Sequence, residues 1–282
     1  MARAFPVRKA VIPVAGLGTR LRPVTRVIPK GMLPVIDTPV VQYVVDEAAA
    51  AGLTDVMLVI GQAQDAFRTY FGPARERSPG GVSIGFLTQD PPRGLGDAVL
   101  RCAGFVGQEP FAILFGDNIL SAGDDLLTRM IAAMSKYGGT ILALIETSSD
   151  DISARAVAAF EPTDDAEVVR ITDLIEKPDV SGAPSNWIMI GRCVCDPAVF
   201  RVLRETPPGY GGEIQLSDAL RTLAHADRAS GGGVHGLLFR GRRYDTGNRQ
   251  DYLRTTVELA CSRPEIAEQF LPWLRRYIST VS

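Results

Sequence analysis

Histidine and cysteine are scarce in this 282-residue chain, which contains two histidines and four cysteines. The histidines, His225 and His235, have no neighbours at a spacing typical of a zinc site. Cys193 and Cys195 lie two positions apart in a predicted strand, so both side chains point to the same face. A buried pair of small apolar side chains is favoured there over a metal or redox site. Histidine or thiol catalysis is therefore not expected, and a reducing, cytoplasmic location is.

The chain also lacks an excess of charge of either sign. Its 30 Lys and Arg residues nearly balance its 32 Asp and Glu residues, so no nucleic-acid partner is expected. No run approaches the roughly 18 consecutive apolar residues that a membrane span requires, so no membrane partner is expected either. Because 46% of the residues are hydrophobic, the chain can bury a large core, and we expect one domain over residues 1–282.

The hydrophobic pattern predicts an α/β fold. In the first half, strands and helices alternate, which is typical of a mainly parallel sheet flanked by helices. In the second half, more strands are broken by turns, which indicates an inserted and more antiparallel region forming the other wall of a cleft. The predicted strands cover residues 10–14, 55–60, 83–88, 111–116, 140–146, 156–160, 168–175, 187–195 and 236–240. The predicted helices cover residues 40–51, 97–104, 126–137, 197–205, 213–226, 248–261 and 264–278.

A glycine-rich loop follows the first predicted strand and contains Gly16, Gly18 and Arg20. Glycine lets backbone N–H groups surround an anion because no Cβ intervenes, and Arg20 and Lys30 would add full positive charges. The loop therefore predicts a phosphate site, with a tight turn after a strand as the alternative. A dinucleotide-binding dehydrogenase is excluded, because Leu21 stands where the third glycine of that fingerprint is required.

Two aspartates, Asp117 and Asp245, each follow a predicted strand. Because ligands bind at the carboxyl ends of parallel strands, we expect the glycine-rich loop, Gln89 and Asp117 to converge on one edge of the sheet. Two carboxylates at such an edge suit Mg²⁺, which usually takes one or two carboxylates and completes its shell with phosphate oxygens and water. A helix cap is the alternative role for either aspartate.

The motif Glu176-Lys177-Pro178 ends a third predicted strand. Lys177 suits a phosphate as a point charge, and Glu176 suits a pair of sugar hydroxyls as an acceptor. An ordinary surface ion pair at a turn is the alternative. Further along, Glu213 in a Gly-Gly-Glu-Ile-Gln-Leu run contributes either to a sugar site or only to the start of a helix.

The order and spacing of these motifs resemble the bacterial sugar-1-phosphate nucleotidyltransferases, and among them most closely the uridylyltransferases that use glucose 1-phosphate. The resemblance runs nearly end to end. It is carried by residues 14–20, 28–30, 32–34, 42–45, Gln89, 94–96, 175–178, 191–192, 212–216 and 243–248.

The resemblance implies a nucleotide-diphospho-sugar transferase fold, with a nucleotide-binding half over about residues 1–150. A sugar-binding half over about 151–247 and closing helices over about 248–282 would follow. It also implies a homodimer or homotetramer, and transfer of a uridylyl group from UTP to glucose 1-phosphate with release of pyrophosphate. In-line attack by the sugar phosphate needs no general base, because the phosphate is already ionised at neutral pH.

The resemblance also implies a role for each site residue. The implied catalytic residues are Arg20, Lys30 and Lys177. The implied nucleotide-binding residues are Ala15, Gly16, Gly18, Thr19, Gln89 and Gly94. The implied sugar-binding residues are Ala156, Glu176 and Lys177. Asp117 and Asp245 would hold Mg²⁺ as the cofactor.

The sequence departs from the uridylyltransferases at several positions. Gly31 stands where they place Glu, and Arg155-Ala156 stands near where a Tyr-Gly pair meets the hexose. The runs Leu21-Arg22-Pro23 and Gly116-Asp117-Asn118 are more similar to thymidylyltransferases. Uracil and thymine differ by one methyl group, worth about 1–3 kcal/mol in an apolar pocket. A dTTP-dependent enzyme and a non-catalytic nucleotide-sugar-binding homologue therefore stay open as alternatives.

Overall fold

The computed structural model describes residues 6–62, 65–72, 81–121, 125–226 and 233–281. Strands and helices are numbered separately in chain order. The strands are β1 (Lys9–Pro13), β2 (Pro34–Val35), β3 (Thr38–Pro39), β4 (Asp55–Ile60), β5 (Ser83–Thr88), β6 (Phe111–Leu114), β7 (Asn118–Leu120), β8 (Thr140–Glu146), β9 (Ala156–Pro162), β10 (Val168–Glu176), β11 (Trp187–Cys195), β12 (Val234–Phe239) and β13 (Arg243–Asp245). The helices are α1 (Val40–Ala50), α2 (Asp65–Phe71), α3 (Leu95–Leu100), α4 (Ala103–Val106), α5 (Leu126–Tyr137), α6 (Ser149–Ile152), α7 (Val199–Glu205), α8 (Leu216–His225), α9 (Arg249–Ser262) and α10 (Pro264–Val281).

Nine of these strands form one mixed sheet in the order β5-β4-β1-β6-β11-β8-β12-β10-β9. The four strands from the first part of the chain, β5, β4, β1 and β6, are parallel neighbours. Their carboxyl ends therefore lie at the same edge, where ligands bind in sheets of this kind. This edge receives the glycine-rich loop after β1, Gln89 after β5 and Asp117 after β6.

The strands of the second half continue the same sheet. β11 runs antiparallel between β6 and β8, β8 and β12 are parallel, and β10 is antiparallel to both β12 and β9. The parallel arrangement expected from the alternating pattern is therefore found at one side of the sheet, and the antiparallel strands form the other. Of the strands predicted to form an inserted region, β9 and β10 lie at the far edge of the sheet. β11 instead pairs with β6 and β8 in the centre, and all but its first residue are buried.

Period-two alternation along the strands divides the apolar side chains between the two faces of the sheet. In β6 all four residues are buried: Ala112 and Leu114 pack on one face, and Phe111 and Ile113 on the other. The first face is covered by α1, α2 and α5, and the second by α3, α4, α7 and α8. Within the described residues, no helix is long and apolar enough to cross a membrane.

Two predicted helices differ from the structure near the cleft. The helix predicted over residues 97–104 begins earlier and is divided into α3 and α4, because a turn closes where the Cys102 N–H donates to the Val99 carbonyl. The helix predicted from Glu213 begins only at Leu216. The preceding Ile214 is held by backbone hydrogen bonds to the loop before α3, through Arg93 and Gly96.

Candidate active site

The glycine-rich loop, residues 15–20, lines a cleft of about 500 Å³ at the carboxyl edge of the parallel strands. Gly18 has φ +60°, and a Cβ there would lie 2.9 Å from Thr25 Cγ2, so only glycine fits without strain. Its carbonyl accepts a hydrogen bond from Thr25 Oγ1 at 2.8 Å. A Cβ on Gly16, by contrast, would meet no atom within 4 Å. The loop is therefore held from behind and open towards the cleft.

Most of the predicted site residues line this cleft, and four do not. Those in the lining are Ala15, Gly16, Gly18, Thr19, Arg20, Lys30, Gln89, Gly94 and Asp117. The four that lie outside the lining are Ala156, Glu176, Lys177 and Asp245. Gly247, two residues after Asp245, does line the cleft. Gly31, which stands where the similar uridylyltransferases are expected to have Glu, also lines the cleft and is buried.

Gly31 lies against the hydrophobic core at the base of the cleft. A Cβ at this position would lie 3.4 Å from both the Phe67 ring and the Gly116 carbonyl. Phe67 is fully buried. The contacts of such a Cβ are therefore those of ordinary close packing, and they do not by themselves exclude a larger residue.

Gln89 is fixed in orientation at one wall of the cleft. Its side-chain NH₂ group donates to the Gly94 carbonyl at 2.9 Å and to Asp97 Oδ2 at 2.8 Å. The same Asp97 oxygen accepts from Arg101 Nε at 2.8 Å. Because both amide hydrogens of Gln89 have acceptors, Oε1 is the group that remains to accept a hydrogen bond from a ligand.

The loop around Gly94 is attached to the segment before α8. Gly94 has φ +106°, and a Cβ there would lie 2.7 Å from the Ile214 carbonyl oxygen. The Gly96 N–H donates to that same carbonyl at 2.8 Å, and the Ile214 N–H donates to the Arg93 carbonyl at 2.8 Å. The Gly-Gly-Glu-Ile-Gln-Leu run thus supports the wall that contains Gln89.

A small antiparallel pair, β7 and β13, brings the two predicted metal ligands together. Its register places Asp245 opposite Asn118, which directly follows Asp117. The Thr246 N–H and Oγ1 donate to the Asp117 carbonyl at 3.1 and 2.8 Å. The pair therefore joins two loops that are far apart in sequence.

Lys30 lies beside both carboxylates. Its ammonium group forms an ion pair with Asp117 Oδ2. The other carboxylate oxygen of Asp117, Oδ1, accepts a hydrogen bond from Asn118 Nδ2 at 2.6 Å. A Cβ on Gly247 would lie 2.5 Å from Lys30 Nζ and 2.6 Å from Asp245 Oδ1. The Lys30 ammonium is thus close to Asp245 as well, and it adds positive charge between the two acidic side chains.

Asp245 is almost fully buried and is surrounded by positive charge. Oδ2 forms an ion pair with Arg155 and lies 3.5 Å from Arg243 Nη1, and Oδ1 accepts the Gly247 N–H at 2.8 Å. Burial by itself would raise the pKa of Asp245, but the charges of Arg155, Lys30 and Arg243 outweigh it and lower this pKa to about 2. Asp245 is therefore ionised at neutral pH.

The donor set at this position suits a hard divalent cation. It offers two carboxylates, Asp117 and Asp245, and the described part of the chain contains no group of three or more His, Cys, Asp or Glu side chains that could hold a metal ion. An ion held by two carboxylates and completed by phosphate oxygens and water is the arrangement that Mg²⁺ prefers. These residues fit such an ion.

Glu176 and Lys177 lie at the end of β10, beside the start of β9. The strand register pairs Glu176 with Ala156, and the Lys177 N–H donates to the Arg155 carbonyl at 3.0 Å. Glu176 Oε2 accepts from Ser217 Oγ at 2.6 Å. The predicted sugar residues are therefore brought together, and Arg155 connects them to Asp245.

Lys177 has an unusual backbone conformation, and its side chain contacts Glu176 and Tyr210. Its backbone has φ +46°, a left-handed conformation that is uncommon outside glycine. Its ammonium group lies 3.5 Å from Glu176 Oε1 and 4.5 Å from the centroid of the Tyr210 ring. Tyr210 is itself exposed, so Lys177 lies on the open side of the site.

The structure adds residues that the sequence motifs did not indicate. Arg155 was noted only as a departure, and Arg243, Tyr210 and Ser217 were given no role. The contacts of Arg155, Tyr210 and Ser217 join distant segments, so no local pattern could reveal them, whereas Arg243 lies two residues before Asp245 in the same motif. The change from Tyr to Arg beside Ala156 was the one signal, because a charge in a predicted sugar site requires a partner.

Behind the predicted metal ligands, a buried ion pair anchors the Asn118 backbone. Arg192 in β11 is fully buried and binds Glu47 of α1 through two hydrogen bonds of 2.7 and 2.6 Å. The same guanidinium donates to the Asn118 carbonyl at 2.9 Å and to the Gly191 carbonyl at 2.7 Å. The loop that carries Asp117 is therefore tied to the centre of the sheet.

Comparisons with known proteins agree with this geometry. The sequence matches the model of the nucleotidyl transferase family over residues 9–261. The UTP–glucose-1-phosphate uridylyltransferase YngB of Bacillus subtilis strain 168 is 34% identical, and the alignment covers 96% of each chain. A solved UDP-glucose pyrophosphorylase complexed with UDP-glucose is 32% identical, with a TM-score of 0.83 over 91% of this chain and 100% of that one.

A second solved structure, the UTP-bound UGPase from Acinetobacter baumannii, is 28% identical. Its TM-score is 0.85, and the alignment covers 95% of this chain and 98% of that one. The similarity therefore spans both halves of the sheet and the motifs around the cleft. With its glycine-rich loop, paired aspartates and matching fold, the chain belongs to the nucleotidyl transferase family.

Proposed function

We propose that this chain transfers a uridylyl group from UTP to glucose 1-phosphate, giving UDP-glucose and pyrophosphate. The observation that carries the proposal is the meeting of Asp117, Asp245 and Lys30 beside the glycine-rich loop. This is the arrangement that phosphoryl-type transfer requires, because anionic phosphates must be aligned and neutralised. Relatives named for this reaction and for UTP or UDP-glucose binding support the choice of substrates.

The glycine-rich loop and Gln89 form the nucleotide side of the site in this proposal. Backbone N–H groups of Ala15, Gly16, Gly18 and Thr19 would surround the phosphates, with Arg20 adding a full charge. Gln89 Oε1 would accept the N3–H of uracil, because the amide hydrogens of Gln89 are already bound to Gly94 and Asp97. Cytosine and the purines do not present the N3–H of uracil to that oxygen and would be disfavoured.

Asp117 and Asp245 would hold the divalent cation that nucleotidyl transfer uses, and we propose that it is Mg²⁺. When bound, the ion neutralises negative charge on the phosphates and so allows a second anion to approach. The low pKa of Asp245 means that this carboxylate is charged at neutral pH. Asn118 and Thr246 fix the Asp117 carboxylate and backbone by their hydrogen bonds.

The sugar phosphate would bind on the opposite side, at the ends of β9 and β10. Lys177 would hold its phosphate, and Glu176 and the Ala156 N–H would meet the sugar hydroxyls. A phosphate oxygen would attack the α-phosphorus in line, the bond from α-phosphorus to the bridging oxygen would break, and pyrophosphate would leave. Lys30 would neutralise charge on the phosphates, so catalysis comes from alignment and electrostatics.

Pyrophosphate release with glucose 1-phosphate and Mg²⁺ tests the proposal directly. UTP, dTTP, CTP, ATP and GTP would be compared at equal concentrations. We expect UTP to give the highest kcat/KM. Preference for dTTP would assign the chain to a thymidylyltransferase, and absence of turnover with all five would contradict the proposed reaction.

We also propose, from the family resemblance, a homodimer or homotetramer formed with the closing helices. The proposal treats residues 1–282 as one nucleotidyltransferase domain, with nucleotide and sugar halves that share the central sheet. A cytoplasmic location is proposed on the cysteine usage and on the substrates. Size-exclusion chromatography with light scattering tests the oligomeric state.

A further inference from the structure

Each proposed metal ligand is paired with a basic side chain in the structure. Asp117 Oδ2 forms its ion pair with Lys30, and Asp245 Oδ2 forms its own with Arg155. Lys30 is expected to turn to the nucleotide phosphates. Arg155, which stands where the similar uridylyltransferases have Tyr, has no such assigned partner.

A cation that binds Asp245 has to compete with the basic groups around it. The Asp245 side chain is 2% exposed, Oδ1 is bound by the Gly247 N–H, and Oδ2 is shared by Arg155 and Arg243. Both oxygens thus have partners before any metal arrives. A cation at Oδ2 therefore competes with the guanidinium groups of Arg155 and Arg243.

Arg155 is the guanidinium that the contacts leave freer to move. Arg243 is 9% exposed, donates to Asn118 Oδ1 at 3.3 Å and lies 3.6 Å from Asp151 Oδ2. Arg155 is 21% exposed, and its Nε is buried without an acceptor among the described residues. A buried N–H without an acceptor is unfavourable by about 1–3 kcal/mol, so the Asp245 pair does not satisfy Arg155 fully.

The position of Arg155 points to where its charge can go. The Arg155 carbonyl accepts the Lys177 N–H at 3.0 Å, and the next residue, Ala156, pairs with Glu176 across the strands. Arg155 thus lies between the metal-binding aspartate and the lysine proposed to hold the sugar phosphate. A guanidinium offers two parallel N–H groups that match two phosphate oxygens, which would also give Nε an acceptor.

We propose that Arg155 is a phosphate-binding residue that exchanges partners: it holds Asp245 in the ligand-free site and binds the sugar phosphate once a divalent cation occupies the aspartates. The identity of that phosphate rests on the proposed function. Two effects of Arg155 follow. It competes with the divalent cation at Asp245, and it strengthens binding of the second substrate.

The test compares Arg155→Met, which keeps length and removes charge, with Arg155→Lys. Arg170→Met is the matched control, because Arg170 lies on β10 and its side chain forms an exposed ion pair with Glu161. Circular dichroism and thermal unfolding establish that each variant is folded. Mn²⁺ binding to the nucleotide-free protein is measured by electron paramagnetic resonance, which requires no turnover.

We expect Arg155→Met to bind Mn²⁺ at least about 5-fold more tightly than the unchanged protein, because the competing charge is gone. Its KM for glucose 1-phosphate should rise about 10- to 100-fold, as for a lost hydrogen bond to a charged group, with KM for UTP changed less than about 2-fold. Arg155→Lys should give values between those of Arg155→Met and the unchanged protein, because it keeps the positive charge but not the two parallel N–H groups of the guanidinium. Arg170→Met should match the unchanged protein in both measurements.

Three outcomes would overturn the proposal. Unchanged or weaker Mn²⁺ binding in Arg155→Met would show that Arg155 does not compete for Asp245. An increase in KM for UTP alone would place the guanidinium on the nucleotide side. Full recovery by Lys would exclude the two-pronged contact. If the unchanged protein turns over no triphosphate, the proposed function fails, while the Mn²⁺ comparison still decides the exchange at Asp245.

Discussion

At the residue scale, the two aspartates of the site differ in burial, although we propose that they hold the same ion. Asp245 is nearly inaccessible and is held by three cations, whereas the Asp117 side chain is 29% exposed and is held by Lys30 and Asn118. Their different surroundings make it necessary to test both. A role that depends on a shared ion should be lost when either carboxylate is neutralised.

We expect Asp117→Asn and Asp245→Asn each to lower kcat by about 100-fold or more, because an amide is a poor ligand for a hard cation. Asp164→Asn is the control, since Asp164 is exposed and pairs with Lys136 away from the cleft. Initial rates at saturating Mg²⁺ and circular dichroism provide the measurement. If both cleft variants kept the full kcat, the metal assignment would be wrong.

Tyr210 is a second residue whose effect can be isolated. Its ring centroid lies 4.5 Å from the Lys177 ammonium, an attraction worth about 0.5–1 kcal/mol at an exposed site. Tyr210→Ala should therefore raise KM for glucose 1-phosphate by about 2- to 5-fold. Tyr210→Phe should preserve it, because the ring face is unchanged. A loss in Phe equal to that in Ala would assign the effect to the hydroxyl instead.

The residues of the site were predictable where their function is encoded in a local motif. Gly18, Gln89 and Asp117 follow strands at one edge, and the sheet brings them to one cleft. Arg155 and Tyr210 were not predictable, because their contacts join segments more than 30 positions apart or depend on the rotamer of one side chain. The sequence also suggests no reason for the φ of +46° at Lys177.

At the scale of elements, the wall that carries Gln89 depends on one glycine. Gly94→Ala would strain a backbone at φ +106° and place a methyl group 2.7 Å from the Ile214 oxygen. Since Ile214 also holds Gly96, we expect a loss of about 1–3 kcal/mol in unfolding free energy and at least a several-fold increase in KM for UTP. Chemical denaturation and steady-state kinetics measure the two effects.

Gly104→Ala is the matched control for that change. Gly104 lies inside α4, and a Cβ there would meet nothing within 4 Å. The substitution should leave KM unchanged and stabilise the protein by about 0.4–1 kcal/mol. If the two alanine variants had the same unfolding free energy and the same KM for UTP, the contact with Ile214 would have no influence on the wall that carries Gln89.

Elements with a strong, uninterrupted pattern were predicted correctly. The strand over residues 55–60 and the helix over 126–137 have the predicted bounds, because one is a continuous apolar run and the other ends at Gly138. The helix over 97–104 was wrong, since a turn at Cys102 divides it. The predicted start of α8 was also wrong. Ile214 forms backbone hydrogen bonds with Arg93 and Gly96 instead of joining the helix, and sequence periodicity contains no information about such long-range bonds.

At the scale of the whole molecule, the two halves of the chain are joined behind the cleft. β11, from the second half, lies between β6 and β8, and its Arg192 reaches Glu47 of α1 and the Asn118 carbonyl. The mixed sheet could be anticipated only in part, because local patterns do not specify that a late strand enters the centre. This insertion makes the geometry of the Asp117 loop depend on the core.

The buried pair should therefore matter for both stability and turnover. Arg192→Met leaves Glu47 without its partner inside the protein, and we expect a loss of about 3–5 kcal/mol in unfolding free energy. The double variant Glu47→Leu/Arg192→Met should recover much of that loss, because an apolar pair replaces both charges. Arg221→Met, which breaks the exposed pair with Asp173, should cost less than about 1 kcal/mol.

Turnover separates anchoring from simple stabilisation. The double variant restores packing but provides no donor for the Asn118 carbonyl, so its kcat should stay below that of the unchanged protein even where its unfolding free energy recovers. Urea unfolding and initial rates at a temperature where all variants are folded measure the two quantities. A double variant that regains stability and full kcat together would show that Arg192 supports the fold without positioning the Asp117 loop.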